Sequence, residues 1–180
     1  MKKIAFLLSI ILVTFSCKKE VQSQESSIQE GLINERSVIK TVKTFDYMHL
    51  EPLLHKKDDK TYIINFWATW CKPCVEELPA FEKLNNNYKD KNVEVILVSL
   101  DFPDQIEKKV IPFIEKHNLQ SKVIVMNDPD QNTWIPKISE KWSGSIPATL
   151  IYNKDSREFY EQSFTYDLLL KELNKFLKTN

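Results

Sequence analysis

Apolar positions along the chain fall into two kinds of pattern, short dense runs and longer stretches with helical spacing. Lys60 to Phe66 and Val93 to Leu100 are compact runs rich in β-branched residues, and Val123–Met126 and Ala148–Tyr152 repeat the pattern later. Each is predicted to be a strand. Between them, Val75, Leu78, Phe81, Leu84 and Tyr88 recur at helical intervals, as do Ile106, Val110, Phe113, Ile114 and His117. Near the C-terminus, Tyr166, Leu169, Leu170, Leu173, Phe176 and Leu177 share one face, which predicts a final amphipathic helix lying on a sheet. Strands alternating with helices imply βαβ units and a mostly parallel central sheet flanked by helices, an α/β fold. Asn153–Ser156 separates the strand ending at Tyr152 from the alternating segment Arg157–Ser163, so a hairpin is expected there. Residues 45–55 read as helical with Phe45, Met48, Leu50 and Leu53 partly on one side, against which Pro52 argues. Trp134, Ile138 and Trp142 read as core residues of a helix, and His117 as a helix C-cap.

The N-terminus follows a different pattern. Lys2-Lys3, the apolar run Ile4–Val13 and the small residue Ser16 form a signal peptide over residues 1–16. The run is too short to cross a hydrocarbon core, which needs ~20 apolar residues. Cys17 directly after Ser16 resembles the lipobox of bacterial lipoproteins, so Cys17 is the expected lipid attachment site. Residues 17–38 are rich in Ser, Gln and Glu without an apolar period and read as the lipidated N-terminus and a flexible tether. Residues 39–180 are then one domain of ordinary size.

Charge and composition narrow the function. The 25 basic and 25 acidic side chains balance, and removing Lys2 and Lys3 leaves a slight acidic excess. That argues against nucleic acid, which selects for a basic face. The chain has 2 glycines, Gly31 and Gly144, so there is no Gly-rich phosphate cradle.

The chemistry concentrates in Ile63-Ile64-Asn65-Phe66-Trp67-Ala68-Thr69-Trp70-Cys71-Lys72-Pro73-Cys74, a buried strand, a turn, and two cysteines entering a helix. At a helix N-terminus the unpaired N–H groups and the macrodipole stabilise a thiolate, so Cys71 is the expected nucleophile. Cys74 lies one turn on and is shielded, able to reach the Cys71 sulfur, and a reversible disulfide follows. Pro73 is tolerated in the first turn, where its missing N–H would have had no helical partner. Cys-x-x-Cys also serves as half of a zinc site, but His49, His55 and His117 show no paired ligand spacing. No metal site and no cofactor beyond the Cys71–Cys74 disulfide is expected.

The segment FWATWCKPC resembles the active site of the thioredoxin superfamily, and Glu76-Glu77-Leu78-Pro79 resembles its extracytoplasmic TlpA and ResA branch. The resemblance covers about residues 40–180 and implies a thioredoxin fold and a thiol-disulfide oxidoreductase that reduces protein disulfides outside the cytoplasm, for instance in cytochrome c maturation. It implies disulfide-containing exported proteins as substrates and a membrane thiol carrier as electron donor. Pro79 matches a helix-kinking proline, and Pro147 matches a cis-proline that faces the disulfide. Ile146 matches the residue whose backbone pairs with substrate, and Trp70, Lys72 and Pro73 belong to the active-site motif. Trp67 and Trp70 flank the disulfide as candidate substrate contacts. Where thioredoxin carries a buried Asp before the motif, this chain has Asn65, which cannot take a proton. Glu77, three residues after Cys74, corresponds to the glutamate of the ResA-like branch and is the expected substitute base; the alternative is a solvated helix glutamate like Glu76.

Other classes remain. A copper-handling lipoprotein would use the same two thiolates for Cu(I), with Met48, His49 or Met126 as a further ligand. A peroxidase would need Pro-x-x-x-Thr-x-x-Cys, whereas Trp-Ala-Thr-Trp precedes Cys71. A non-catalytic scaffolding lipoprotein of the same fold would have no need of both cysteines.

Overall fold

The structure is a computed structural model that describes residues 42–177. The signal peptide, Cys17 and the tether fall outside the described residues. Among the described residues six strands form one mixed sheet in the order β1-β4-β3-β2-β5-β6. The strands are β1 (Lys43–Phe45), β2 (Thr61–Trp67), β3 (Val93–Ser99), β4 (Lys122–Met126), β5 (Ala148–Tyr152) and β6 (Arg157–Tyr160). β1, β2, β3 and β4 run parallel, and β5 and β6 close the sheet antiparallel. The helices are α1 (Tyr47–Leu50), α2 (Lys72–Tyr88), α3 (Ile111–Lys116), α4 (Gln131–Ile138) and α5 (Tyr166–Leu173).

β2 is central, and all seven of its residues are buried. Because side chains alternate along a strand, Ile63 and Trp67 point into one core, with Cys74, Leu78, Phe81 and Leu84 of α2 and Leu169 and Leu173 of α5. Tyr62, Ile64 and Phe66 point into the other, with Leu50 of α1, Trp134 and Ile138 of α4, and Trp142. Burying each of these large apolar side chains contributes roughly 1.5–3 kcal/mol, so both helical layers are held by the strand they cover.

Several elements differ from the sequence expectation. Phe45 lies in β1 rather than in a helix. Three residues are too few to show alternation, and the strand exists because Lys43–Phe45 finds a parallel partner in Ile124–Met126. Asp46 then caps α1, accepting from the His49 N–H at 2.9 Å, and Pro52 falls in the 3-10 turn Glu51–Leu54 that follows. The single helix expected over 106–117 is a π-helical turn, Ile106–Val110, leading into α3. Pro112 has no N–H to give the Lys108 carbonyl, and it falls in the first turn of α3, where none is needed. His117 does close α3 as its C-cap and stacks on Phe113. Trp142 is core but lies in a turn after α4. α5 stops at Leu173, and the chain tightens into turns that bring Phe176 back onto the first core, its N–H donating to the Leu173 carbonyl at 2.9 Å. Among the described residues no helix is long and apolar enough to cross a membrane.

Candidate active site

Cys71 and Cys74 are joined in a disulfide at the point where β2 hands the chain to α2. Cys71 is the N-cap, and the Cys74 N–H points at its sulfur at 3.3 Å, one of the donors a helix start leaves without a backbone partner. A thiolate there is stabilised by that N–H and by the helix dipole, which lowers a thiol pKa. Cys71 is 6% exposed and Cys74 is fully buried. Pro73 occupies the first turn, and α2 continues through Pro79. Lys72 is solvated and pairs with Glu76 across one helical turn at 3.7 Å.

The sheet brings the other half of the site. β5 runs antiparallel to β2 with Ala148 opposite Phe66, so the residues just before β5 sit beside the residues just after β2. The Ile146–Pro147 bond is cis, and the Ile146 carbonyl oxygen lies 3.8 Å from the Cys71 sulfur. Ile146 is half-buried and Pro147 buried. The loop is held from behind by Trp142, whose Nε1 donates to the Ser145 carbonyl at 2.8 Å. Gly144 carries the loop through a φ of 95°, where a side chain would be strained.

Glu77 is 4% exposed, unlike Glu76, which is solvated. Its carboxylate accepts from Asn65 Nδ2 at 2.8 Å and from the Phe164 N–H at 2.7 Å. Asn65 lies mid-strand on β2 and also donates to Thr149 Oγ1 of β5, directly across the ladder, at 3.2 Å. Burial pushes the Glu77 pKa up from 4.5 to about 7, against the opposing pull of the Phe164 and Asn65 hydrogen bonds. A carboxyl that titrates near neutral pH can take a proton and return it.

Trp67 and Trp70 part company. Trp67 is fully buried against Phe113, so it is core and not a substrate contact; Trp70 is 62% exposed beside Cys71 and is open to one. The sequence reading missed Asp101. It follows β3, whose C-terminal end lies beside that of β2, and it accepts from the Thr69 N–H at 2.9 Å, the Thr69 hydroxyl and the Ser99 hydroxyl. It thereby fixes the turn that presents Trp70 and Cys71. An acidic residue at the C-terminal end of a buried parallel strand was the available signal, because that edge is where α/β sheets build their sites. The further copper ligands do not join the cysteines: Met126, Met48 and His49 belong to α1 and β4, which border the opposite core.

A family model described as the AhpC/TSA family matches residues 41–157. The thioredoxin-like protein YneN of Bacillus subtilis is 33% identical over 127 residues, 69% of this chain and 71% of that one. The thiol-disulfide oxidoreductase ResA of Bacillus cereus is 34% identical over 99 residues, 54% of this chain and 51% of that one, so the match spans about half of that relative. Among solved structures, a thioredoxin-related protein from Neisseria meningitidis serogroup B superposes with a TM-score of 0.56 at 22% identity, covering 66% of this chain and 85% of the other, a likeness of fold. The family match, the relatives and the bonded cysteine pair agree: the chain belongs to the AhpC/TSA family, as a thioredoxin-fold thiol-disulfide oxidoreductase.

Proposed function

We propose that this oxidoreductase works outside the cytoplasm as a reductant of protein disulfides. The observation that carries the reading is the asymmetry of the pair: Cys71 is the N-cap of α2, keeps 6% exposure and lies between the exposed Trp70 and the Ile146 carbonyl, while Cys74 is fully buried. In the dithiol form the Cys71 thiolate attacks one sulfur of a substrate disulfide. A mixed disulfide forms and the other substrate sulfur leaves as a thiolate. Glu77 takes the Cys74 proton, and the Cys74 thiolate attacks the Cys71 sulfur, closing the internal disulfide and releasing the second substrate sulfur. Two electrons pass to the substrate, and an external dithiol, held to be a membrane thiol carrier, restores the reduced pair. The Ile146 backbone positions an extended substrate segment across the Cys71 sulfur, with Trp70 beside it. The match to relatives named thiol-disulfide oxidoreductase ResA supports this activity.

Trapping experiments separate the two sulfurs. Cys74→Ser is expected to accumulate mixed disulfides with substrate proteins, and Cys71→Ser to accumulate none; equal trapping by both, or faster alkylation of Cys74 in the reduced protein, would refute the assignment.

Location rests on the sequence. Residues 1–16 direct export, a lipid on Cys17 holds the protein at a cell-envelope membrane, and exported proteins with disulfides are the substrates. The N-terminal peptide of the membrane fraction should have the mass of a lipidated Cys17. An unmodified N-terminus at another residue would remove the anchor from the account.

A further inference from the structure

A groove of about 490 Å³ runs from the active-site turn to the helical segment that follows β3. Trp70, Pro112 and Phe113 supply apolar surface, and Lys108, Lys109 and Lys116 supply charge. Trp70 directly precedes Cys71, so one end of the groove lies one residue from the cysteine pair, although Cys71 itself does not line it. All three lysines are exposed, and among the described residues none is in an ion pair, whereas Lys60, Lys72, Lys154 and Lys175 all are. The one carboxylate in the lining, Asp101, is 1% exposed and already engaged by Thr69 and Ser99. Glu107 and Glu115 share the segment but do not line the groove. Asp104 is also in the segment and outside the lining, accepting from Gln105 Nε2 at 2.6 Å, so the positive charge is confined to the groove wall itself. Neighbouring like charges repel, and a negative partner would turn that repulsion into attraction.

We propose that this groove docks an acidic stretch of the substrate polypeptide next to the substrate disulfide, on the side of Cys71 away from the Ile146–Pro147 loop. The proposal rests on the oxidoreductase reading and adds a substrate preference to it. Aspartate or glutamate side chains pair with Lys108, Lys109 and Lys116, and apolar side chains between them cover Trp70 and Phe113. The pairing acts on encounter and orientation and leaves the sulfur chemistry as it is.

The test uses the full chain, reduced beforehand and freed of reductant, and peptides with one internal disulfide flanked by aspartates, asparagines or lysines. The rate constant for peptide reduction is measured at low and high salt, with hydroxyethyl disulfide as an uncharged reference. The aspartate peptide is expected to react about tenfold faster than the asparagine peptide at low salt, an advantage that shrinks as salt screens it. Lys108→Gln/Lys109→Gln/Lys116→Gln should lose that preference and reduce hydroxyethyl disulfide at the wild-type rate. Lys57→Gln/Lys89→Gln/Lys171→Gln, with the same change in net charge elsewhere, should keep it. Equal rates for all peptides while hydroxyethyl disulfide is still reduced would overturn the docking proposal alone, as would equal loss of preference in both triple variants. A preference that emerges only when Glu20, Glu25, Glu30 and Glu35 become glutamine would assign the groove to the chain's own segment and overturn the proposal. No reaction with hydroxyethyl disulfide would overturn the oxidoreductase reading and the docking proposal with it.

Discussion

The two faces of β2 are both fully buried and serve different ends. On the face covered by α4, Tyr62, Ile64 and Phe66 meet Trp134, Trp142 and Leu150; Phe66 and Trp134 both pack against the Trp142 ring. The polar atoms of its tryptophans are spent on nearby carbonyls, Trp134 Nε1 on Asp128 and Trp142 Nε1 on Ser145. On the face covered by α2, the same alternation is broken by Asn65, which with Thr149 and Glu77 forms a buried polar cluster, Glu77 lying one helical turn after Cys74. An ionisable group in such a place lowers stability when charged, because burial disfavours the charged form. The aromatic face therefore supports the fold, and the α2 face uses part of that stability to hold a buried carboxyl whose pKa is raised to about 7. The faces meet at residues 142–147, where Trp142, packed on the aromatic face, fixes the loop that presents Ile146 and Pro147 to the cysteines.

Substitutions on each face sharpen this contrast, starting with the largest expected effect. Trp134→Ala should destabilise the protein by about 3–5 kcal/mol through lost burial and the cavity left behind. In denaturant melts the midpoint falls, while under native conditions reduction of a small disulfide proceeds within about twofold of wild type. Leu150→Ala, at about 2–5 kcal/mol, gives the same comparison should Trp134→Ala prove too unstable to assay. A rate that falls in step with stability would show that the aromatic face does not stand apart from the chemistry.

Glu77→Gln tests the other face. Turnover should fall by about a hundredfold, the lower end of what general-base assistance contributes, and the step assigned to Cys74 should lose its dependence on a group titrating near pH 7. Glu76→Gln, solvated and paired only with Lys72, should change neither. The same variant has a stability signature. The folded-state pKa of about 7 lies above the ordinary 4.5, so between those values the folded chain keeps a proton that the unfolded chain has lost. The stability of wild type relative to Glu77→Gln is therefore greatest below about pH 4.5 and declines as pH rises to about 7, by roughly 3 kcal/mol at most. Melting temperatures of the oxidised forms across that range measure it. A flat difference would place Glu77 in a solvated setting and remove the base from the mechanism.

Much of this was legible in the chain. The dense runs at 93–100, 123–126 and 148–152 mark strands because a sheet covered by helices on both faces needs apolar residues on both, whether the strand runs parallel or, as β5 does, antiparallel. The nine residues from Phe66 to Cys74 carry the site's chemistry because a strand end, a turn and a helix start are adjacent in sequence, and the helix start itself creates the donors that stabilise a thiolate. What depends on neighbours in space was not legible. Three residues at 43–45 became a strand through pairing with β4, and helix spacing pointed to Glu77 over Glu76 without showing that Glu77 is buried. The burial of Glu77 required α2 to lie on β2 and the Phe164 N–H to arrive from the segment before α5. Asp101 reaches Thr69 because β3 lies beside β2, and Pro147 reaches the cysteines because β5 runs antiparallel against the same strand. The chemistry of the cysteine pair is local and follows from a helix beginning at a known residue. The setting of Glu77 and the surfaces around the cysteine pair are decided by which strands become neighbours, because burial and hydrogen-bond partners come from segments dozens of residues away in the chain.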